Sequence, residues 1–144
     1  MNWTDMLKGA IDENYKVTDA LMAMVQDKDL DWKPATGTNW MTTGQLLMHL
    51  TTSCGLCCRG FVTGDWGMPE GMEMGDCPEG ESMLPPAEAL PTVESVAKAR
   101  ELLAADKQVA LDMVAEAGEE DLDTKLVSAP WEPDRESRLG QQLL

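Results

Sequence analysis

Histidine, single-ring aromatic residues and basic residues are all scarce in this chain of 144 residues. It has one histidine, one tyrosine and one phenylalanine, and 11 basic residues stand against 26 acidic ones. The net charge of −15 repels the phosphates of nucleic acids and of anionic lipid surfaces, so we expect neither as a partner. The chain also lacks an apolar run of about 18 residues and a basic segment leading into an apolar one, so it predicts neither a membrane span nor a signal peptide.

Hydrophobic residues make up 43% of the sequence, which predicts a single folded domain over residues 1–144. Four cysteines without a secretory signal indicate reduced thiols and a cytoplasmic protein. Their spacing, Cys54-x-x-Cys57-Cys58 with Cys77 far away, matches no four-cysteine zinc pattern.

The first helix is predicted from about Trp3 to Gln26, with Thr4 as its N-cap. Apolar residues recur on it at heptad spacing and predict a seam buried in a helical bundle: Trp3, Leu7, Ala10, Val17, Leu21 and Met24. Asn14 falls on the same seam, where a polar side chain needs a partner. Two tryptophans are predicted to anchor the loop that follows: Trp32 and Trp40.

The second helix is predicted to begin with a capping box, in which Thr42 is the N-cap and Gln45 the third helical residue. We expect one continuous helix as far as about Val62. Its apolar stripe is predicted to contain Leu46, Leu50, Cys54 or Cys57, and Phe61. Gly55 either weakens this helix by roughly 1 kcal/mol relative to alanine or allows another helix to approach closely.

Residues 64–91 show no periodicity and are rich in glycine, proline and methionine. So long a connection is either a lid over an apolar opening or a loop fastened to the bundle by its own apolar side chains. A third helix is predicted from Thr92 to Ala117, with Gly118 as the residue that ends it. Its predicted apolar face consists of Val93, Val96, Leu103, Ala110, Leu111 and Val114.

An extended linker is predicted after the third helix, with Trp131 packed against the bundle. Residues 137–144 then have the pattern of a fourth helix that begins at Ser137 and is cut short after two turns. Three antiparallel helices and the start of a fourth predict an all-α fold of the up-down-up-down four-helix bundle type.

The segment LDWKPATGTNWMTTGQLLMHL, from Leu30 to Leu50, resembles the DinB-like family, also called YfiT-like putative metal-dependent hydrolases. In that family a histidine followed by an aliphatic residue lies on the second helix, and His49-Leu50 matches that position. The resemblance implies a divalent metal, nickel or zinc, held by His49 and by two histidines of the fourth helix that this chain does not contain. It also implies a metal-dependent hydrolase or a thiol S-transferase acting on a small molecule or a low-molecular-weight thiol, and a homodimer.

Around His49, helix geometry limits which neighbours share its face. In one straight helix Cys54 would lie about 140° away, so a single metal would not bind both residues. Residues that share the face of His49, and would donate hydrogen bonds around a bound metal, are Gln45, Thr52 and Ser53. Asn14 of the first helix is a further polar candidate. The alternative is that His49 is a buried core residue with no ligand role.

Cys54, Cys57 and Cys58 share one helical face. They form either a cluster that senses oxidation or binds a soft metal, or a set of small apolar core residues. Cys77, in the long loop, is predicted to be the more exposed thiol. Besides the metal-dependent enzyme, two hypotheses remain open: an acidic helical module that works by self-association, and a thiol-based redox sensor.

Overall fold

The computed structural model describes residues 2–67 and 86–144. Five α-helices and two strands follow one another in this part of the chain: α1 (Trp3–Met22), α2 (Thr43–Leu50), α3 (Ser53–Thr63), α4 (Val96–Thr124), β1 (Leu126–Ala129), β2 (Glu132–Arg138) and α5 (Leu139–Leu143). None of these described helices is long and apolar enough to cross a membrane. The fold is mostly helical with a small two-stranded sheet, so the prediction of an all-α chain is correct except for the hairpin.

Helix α1 buries a different face from the predicted one. Its core residues are Leu7, Ile11, Tyr15 and Met22, of which the heptad pattern included only Leu7. The predicted seam residues Val17, Leu21 and Met24 are 48%, 60% and 79% exposed. The helix carries two apolar stripes, and α4 packs on the one that holds Tyr15. The N-cap is Asn2, whose side chain accepts a hydrogen bond from the Asp5 amide, and not Thr4.

The predicted second helix is divided into α2 and α3 at Thr51 and Thr52. The capping box of Thr42 and Gln45 is confirmed. At the break Thr52 leaves helical geometry, with φ of −131°, and Thr51 Oγ1 donates to the carbonyl of Met48 at 2.7 Å. The buried face is also shifted, since its members are Gly44, Leu47, Gly55, Cys58, Gly60 and Phe61, while Leu46 and Leu50 are exposed.

Helix α4 begins at Val96, with Ser95 as its N-cap in place of the predicted Thr92. Gly118 interrupts the helix as predicted, with φ of 68°, but the chain resumes helical geometry as far as Thr124. Most of the predicted apolar face is buried: Val93, Leu103, Ala110 and Val114. The prediction omitted Asp106, which is buried on the same face.

The directions of the helices follow from which residues meet across α4. Helix α1 runs antiparallel to α4, because the contacts are Asp19 with Arg100, Asp12 with Lys107, and Thr4 with Glu119. The α2–α3 pair runs parallel to α4, because the contacts are Gly44 with Val93, Gly55 with Asp106, and Val62 with Lys125. The predicted up-down-up-down order is therefore wrong, since the long helices run up, down and down. Because α3 and α4 are parallel, α4 begins at the end of the bundle opposite to the one where α3 ends.

The predicted extended linker is an antiparallel hairpin, in which Leu126 of β1 pairs with Arg138 of β2. Helix α5 follows directly at Leu139 rather than at Ser137. Its Gly140 packs against the Trp3 ring and the backbone of Leu122, which places the start of α5 beside the start of α1.

The tryptophans differ in how they pack. Trp131 is half exposed but its ring contacts those of Phe61 and Trp66, at centroid distances of 6.3 and 5.8 Å. Trp32 and Trp40 are 64% and 51% exposed, so the prediction that they anchor the loop is wrong. The Trp40 indole is satisfied locally, because its N–H donates to the carbonyl of Thr36 at 2.7 Å.

Candidate functional site

His49 lies in the last turn of α2 and is exposed, so the alternative that it is a buried core residue is wrong. Within residues 2–67 and 86–144, no group of three or more histidine, cysteine, aspartate or glutamate side chains is placed to hold a metal ion. Ser53, expected to support a bound metal, donates its hydroxyl hydrogen bond to the backbone carbonyl of His49 and not to the imidazole. The described residues therefore do not fit a three-ligand metal site at His49.

Gln45, another of the polar candidates, serves local structure. Gln45 accepts a hydrogen bond from the Thr42 amide at 2.8 Å, and its amide nitrogen donates to the carbonyls of Ala87 and Leu90 at 2.6 and 3.0 Å. It thus fastens the segment before α4 onto the start of α2. Asn14 is exposed, so the structure does not bring it together with His49 in a buried site.

The three cysteines of α3 differ in exposure. Cys54, in the first turn, is exposed, Cys57 is half-buried, and Cys58 is 3% exposed within the core. Of the two alternatives for these cysteines, that of three apolar core residues is wrong for Cys54, because the buried face of α3 runs through Gly55 and Cys58 and leaves Cys54 at its edge. Cys77 lies outside the described residues.

A buried carboxylate joins the three long helices beside these thiols. Asp106 of α4 is 8% exposed, and its Oδ2 atom accepts the Tyr15 hydroxyl of α1 at 2.6 Å. The same oxygen accepts the backbone N–H of Gly55 of α3 at 3.1 Å. A Cβ atom on Gly55 would lie 2.8 Å from the carbonyl oxygen of Asp106, closer than packed atoms approach. This confirms that Gly55 allows a close helix approach.

Cys54 lies against this group and is held in the thiolate form. A hydrogen bond from the Cys58 thiol lowers the pKa of Cys54 to about 6, with a further contribution from the Tyr15 hydroxyl. Burial and the charge of Asp106 act in the opposite direction and are outweighed. The Tyr15 hydroxyl itself donates to Asp106 Oδ2. The position of Cys54 in the first turn of α3 also favours its negative charge.

The groups around Cys54 remain protonated because burial and hydrogen bonds raise their pKa values. The hydrogen bond to Cys54, followed by burial, raises the pKa of Cys58. Burial, followed by the hydrogen bond to Asp106, raises the pKa of Tyr15. Burial also raises the pKa of Cys57. The cluster therefore contains one thiolate, Cys54, and three groups that keep their protons: Tyr15, Cys57 and Cys58.

Comparison with known proteins identifies the family. The model of the DinB superfamily matches residues 10–144. This chain belongs to the DinB superfamily. The resemblance of the Leu30–Leu50 segment is thereby confirmed at the level of the family. Neither a curated protein nor a solved structure matches the sequence significantly.

Two cavities of this DinB-superfamily chain lie beside the buried carboxylate. One, of about 330 Å³, is lined partly by Asp106 and Trp66, and the other, of about 230 Å³, by Tyr15 and Arg100. Cys54 lines neither of them. Cys54 is instead exposed at the start of α3.

Tyr15 and Asp106 were not predicted as site residues. A signal for Asp106 exists in the sequence, because it lies three residues after Leu103 and four before Ala110 and so interrupts the apolar face of α4. A signal for Tyr15 is weaker, since tyrosine at a helical core position is ordinary. That both residues meet Cys54 depends on the packing of three helices.

Proposed function

We propose that this DinB-superfamily protein is a thiol S-transferase in which Cys54 is the nucleophile and a low-molecular-weight thiol or its disulfide is the substrate. The observation that carries this proposal is the exposed Cys54 in the first turn of α3, next to Gly55, whose amide hydrogen-bonds Asp106. Hydrogen bonding, chiefly from Cys58, lowers the pKa of this thiol to about 6. The Cys54 thiolate attacks one sulfur of the small disulfide and forms a new S–S bond. The substrate S–S bond breaks, and the departing thiolate takes the electron pair and a proton from solvent.

A cysteine whose pKa lies close to neutral pH suits this reaction. With a pKa of about 6, Cys54 is ionised by about ten to one at pH 7. A thiol with a pKa near the ambient pH combines a high thiolate fraction with good nucleophilicity. The first turn of α3 and hydrogen bonding from Cys58 and Tyr15 favour the negative charge and outweigh the opposing effect of burial.

The metal-dependent alternative has less support in the described residues. His49 is exposed, and those residues offer no set of side chains that would complete a metal site with it. The Cys54 proposal uses only side chains that the structure places together. It therefore accounts for thiol chemistry without a metal-bound thiol.

The test is the rate of alkylation by iodoacetamide between pH 4 and 10, followed by mass spectrometry in a Cys77→Ser background. We expect a half-maximal rate near pH 6, assigned to Cys54 by its loss in Cys54→Ser. Cys57→Ser is the matched control and should leave the profile unchanged. Incubation with oxidised glutathione should also produce a mixed disulfide at Cys54. A half-maximal rate near pH 9, or equal labelling of Cys54→Ser, would refute the proposal.

A second candidate function is self-association of an acidic helical module. It is favoured by the exposed apolar stripe of α1, defined by Val17, Leu21 and Met24. Val17 and Leu21 lie one turn apart on one side of α1, and Met24 follows just beyond the end of the helix at Met22. Exposed apolar residues that are contiguous mark interaction sites, and a second copy of the chain is the occupant that the implied homodimer requires.

This candidate is tested by sedimentation velocity at low and high salt. Each copy carries a net charge of −15, so screening by salt should strengthen the dimer. Leu21→Asp should abolish it, whereas Val109→Asp, on α4 and 37% exposed, should leave it intact. A monomer at every salt concentration, or equal effects of the two substitutions, would exclude self-association through this stripe.

A further inference from the structure

The cavity of about 330 Å³ between α3 and α4 is lined by two charged groups that do not pair with each other. Asp106 of α4 forms one part of its wall, and Arg59 of α3 forms another. We call this space the α3–α4 cavity. A concave space of this size that combines apolar walls with a few polar groups is typical of a binding site for a small molecule.

Asp106 provides a buried carboxylate with one oxygen unoccupied. Its Oδ2 atom accepts the hydrogen bonds from Tyr15 and Gly55, whereas its Oδ1 atom accepts none from the residues that the structure describes. Asp106 is 8% exposed, and no cation among those residues forms an ion pair with it. A buried carboxylate without a cation is unfavourable, so an ammonium group that donates to Oδ1 would be stabilised there.

Arg59 provides the complementary charge, and its donors are unused. Its Nε atom is buried and donates no hydrogen bond. Asp65 Oδ2 lies 3.4 Å from that atom, and the two terminal nitrogens have no acceptor in the described part of the chain. The Nη2 atom lies beside Gly67, where a Cβ atom would be 3.2 Å from it. Glycine at this position therefore leaves room at the end of the guanidinium group, where a carboxylate would bind.

Much of the remaining wall of the α3–α4 cavity is apolar. It includes the side chains of Leu56, Val109 and Trp66. Leu56 lies three residues before Arg59 and so shares its face of α3. The Trp66 ring packs edge-on against that of Phe61, at a centroid distance of 4.9 Å, and is thereby held in place. This surface suits an apolar group of a ligand, while the two charged side chains suit an ammonium and a carboxylate.

The other cavity, between α1 and α4, contains charges that are already neutralised. Arg100 lines it, and its Nε and Nη2 atoms donate to Asp19 at 2.6 and 2.8 Å. Lys107 lines it as well and pairs with Asp12 at 2.7 Å. These short ion pairs leave less charge to attract a ligand there than in the α3–α4 cavity.

We propose that the α3–α4 cavity binds an α-amino acid with an apolar side chain. The ammonium group of the ligand donates to Asp106 Oδ1, and its carboxylate accepts hydrogen bonds from the terminal nitrogens of Arg59. Its side chain packs against Leu56 and Trp66. This inference goes beyond the proposed function and does not depend on it, because Cys54 does not line the cavity.

The spacing of the two charged side chains fits a ligand of this size. Gly55, whose amide binds Asp106, and Arg59 are four residues apart on α3, which is about 6 Å along the helix axis. The ammonium and the carboxylate of an α-amino acid are attached to one carbon atom, and a charge-assisted hydrogen bond adds about 2.7–2.9 Å at each end. A diamine or a dicarboxylate would instead place a like charge against one of the two side chains.

Isothermal titration calorimetry of the unmodified chain tests the inference, with L-leucine as the probe. N-acetyl-L-leucine lacks the ammonium group and L-leucinamide lacks the carboxylate, so each should bind at least roughly tenfold more weakly than L-leucine. This comparison needs no variant of the chain. The absence of L-leucine binding at millimolar concentration, or equal binding of the three compounds, would overturn the inference.

Substitutions then locate the bound ligand. Arg59→Gln and Asp106→Asn each remove one charge and should weaken the binding of L-leucine at least roughly tenfold. Because Asp106 also joins the helices, Arg59→Gln, whose side chain is 40% exposed, is the variant that decides. Arg100→Gln is the matched control, since it removes an ion-paired arginine from the wall of the other cavity, and it should leave binding unchanged. Binding that is unchanged in Arg59→Gln, or weakened equally in Arg100→Gln, would show that the α3–α4 cavity is not the site.

Discussion

Replacing Gly55 with alanine tests how the thiol site is built. The added Cβ would lie 2.8 Å from the Asp106 carbonyl oxygen and still closer to the Oδ1 atom of the Asp106 side chain. Because one of these neighbours is backbone, the clash is not relieved by a rotamer change. Helices α3 and α4 would have to separate at the point where the Gly55 amide donates to Asp106.

The expected magnitude is the sum of three effects. Overpacking a well-filled contact costs about 1–3 kcal/mol. Loss of the hydrogen bond from Gly55 to a charged acceptor costs about 1.5–3 kcal/mol. Alanine gains about 1 kcal/mol over glycine in helix propensity. We therefore expect Gly55→Ala to lower the free energy of unfolding by about 2–4 kcal/mol, given that these effects overlap.

The assay is urea unfolding followed by circular dichroism at 222 nm, where a loss of this size shifts the midpoint down by about 1–2 M. Gly9→Ala is the matched control, because Gly9 is also helical but has no atom within 4 Å of the added Cβ. It should be stabilising by up to about 1 kcal/mol. A Gly55→Ala midpoint equal to or above that of the parent chain would refute the close approach of α3 to Asp106.

Two further predictions concern pH. Tyr15→Phe removes a hydrogen-bond donor to Cys54, so the pKa of Cys54 should rise above about 6, and the iodoacetamide profile should move to higher pH; an unmoved profile would mean that Tyr15 does not stabilise the thiolate. Hydrogen bonds from the start of α1 hold the pKa of Glu119 below its usual 4.5. Its contribution to stability is therefore present above pH 4.5 and lost as the pH falls through the lowered pKa. Glu119→Gln should weaken this acid dependence in urea titrations from pH 6 to pH 3, and an identical dependence would contradict the role of the carboxylate.

The sequence identified part of the candidate site and misjudged the rest. It singled out His49 through the family motif and named Cys54 among possible reactive thiols. It assumed a continuous helix from Thr42 to Val62, however, and placed all three cysteines on one face of that helix without deciding which of them are buried. The exposure of Cys54 and its contact with Tyr15 arise from a helix break and from packing against two other helices. No spacing rule within one helix contains that information.

Local features were fixed by the sequence alone because they depend on residues only a few positions apart. These include the capping box at Thr42, the interruption at Gly118 and the family membership carried by the segment before His49. Only the tertiary structure decided which of the two apolar stripes of α1 is buried and in which direction α3 runs along α4. Both stripes satisfy helical periodicity equally well, so the choice is made by the partner helix. The Asp106 carboxylate of α4 accepts hydrogen bonds from Tyr15 of α1 and from Gly55 of α3. These contacts identify the faces of α1 and α3 that pack against α4.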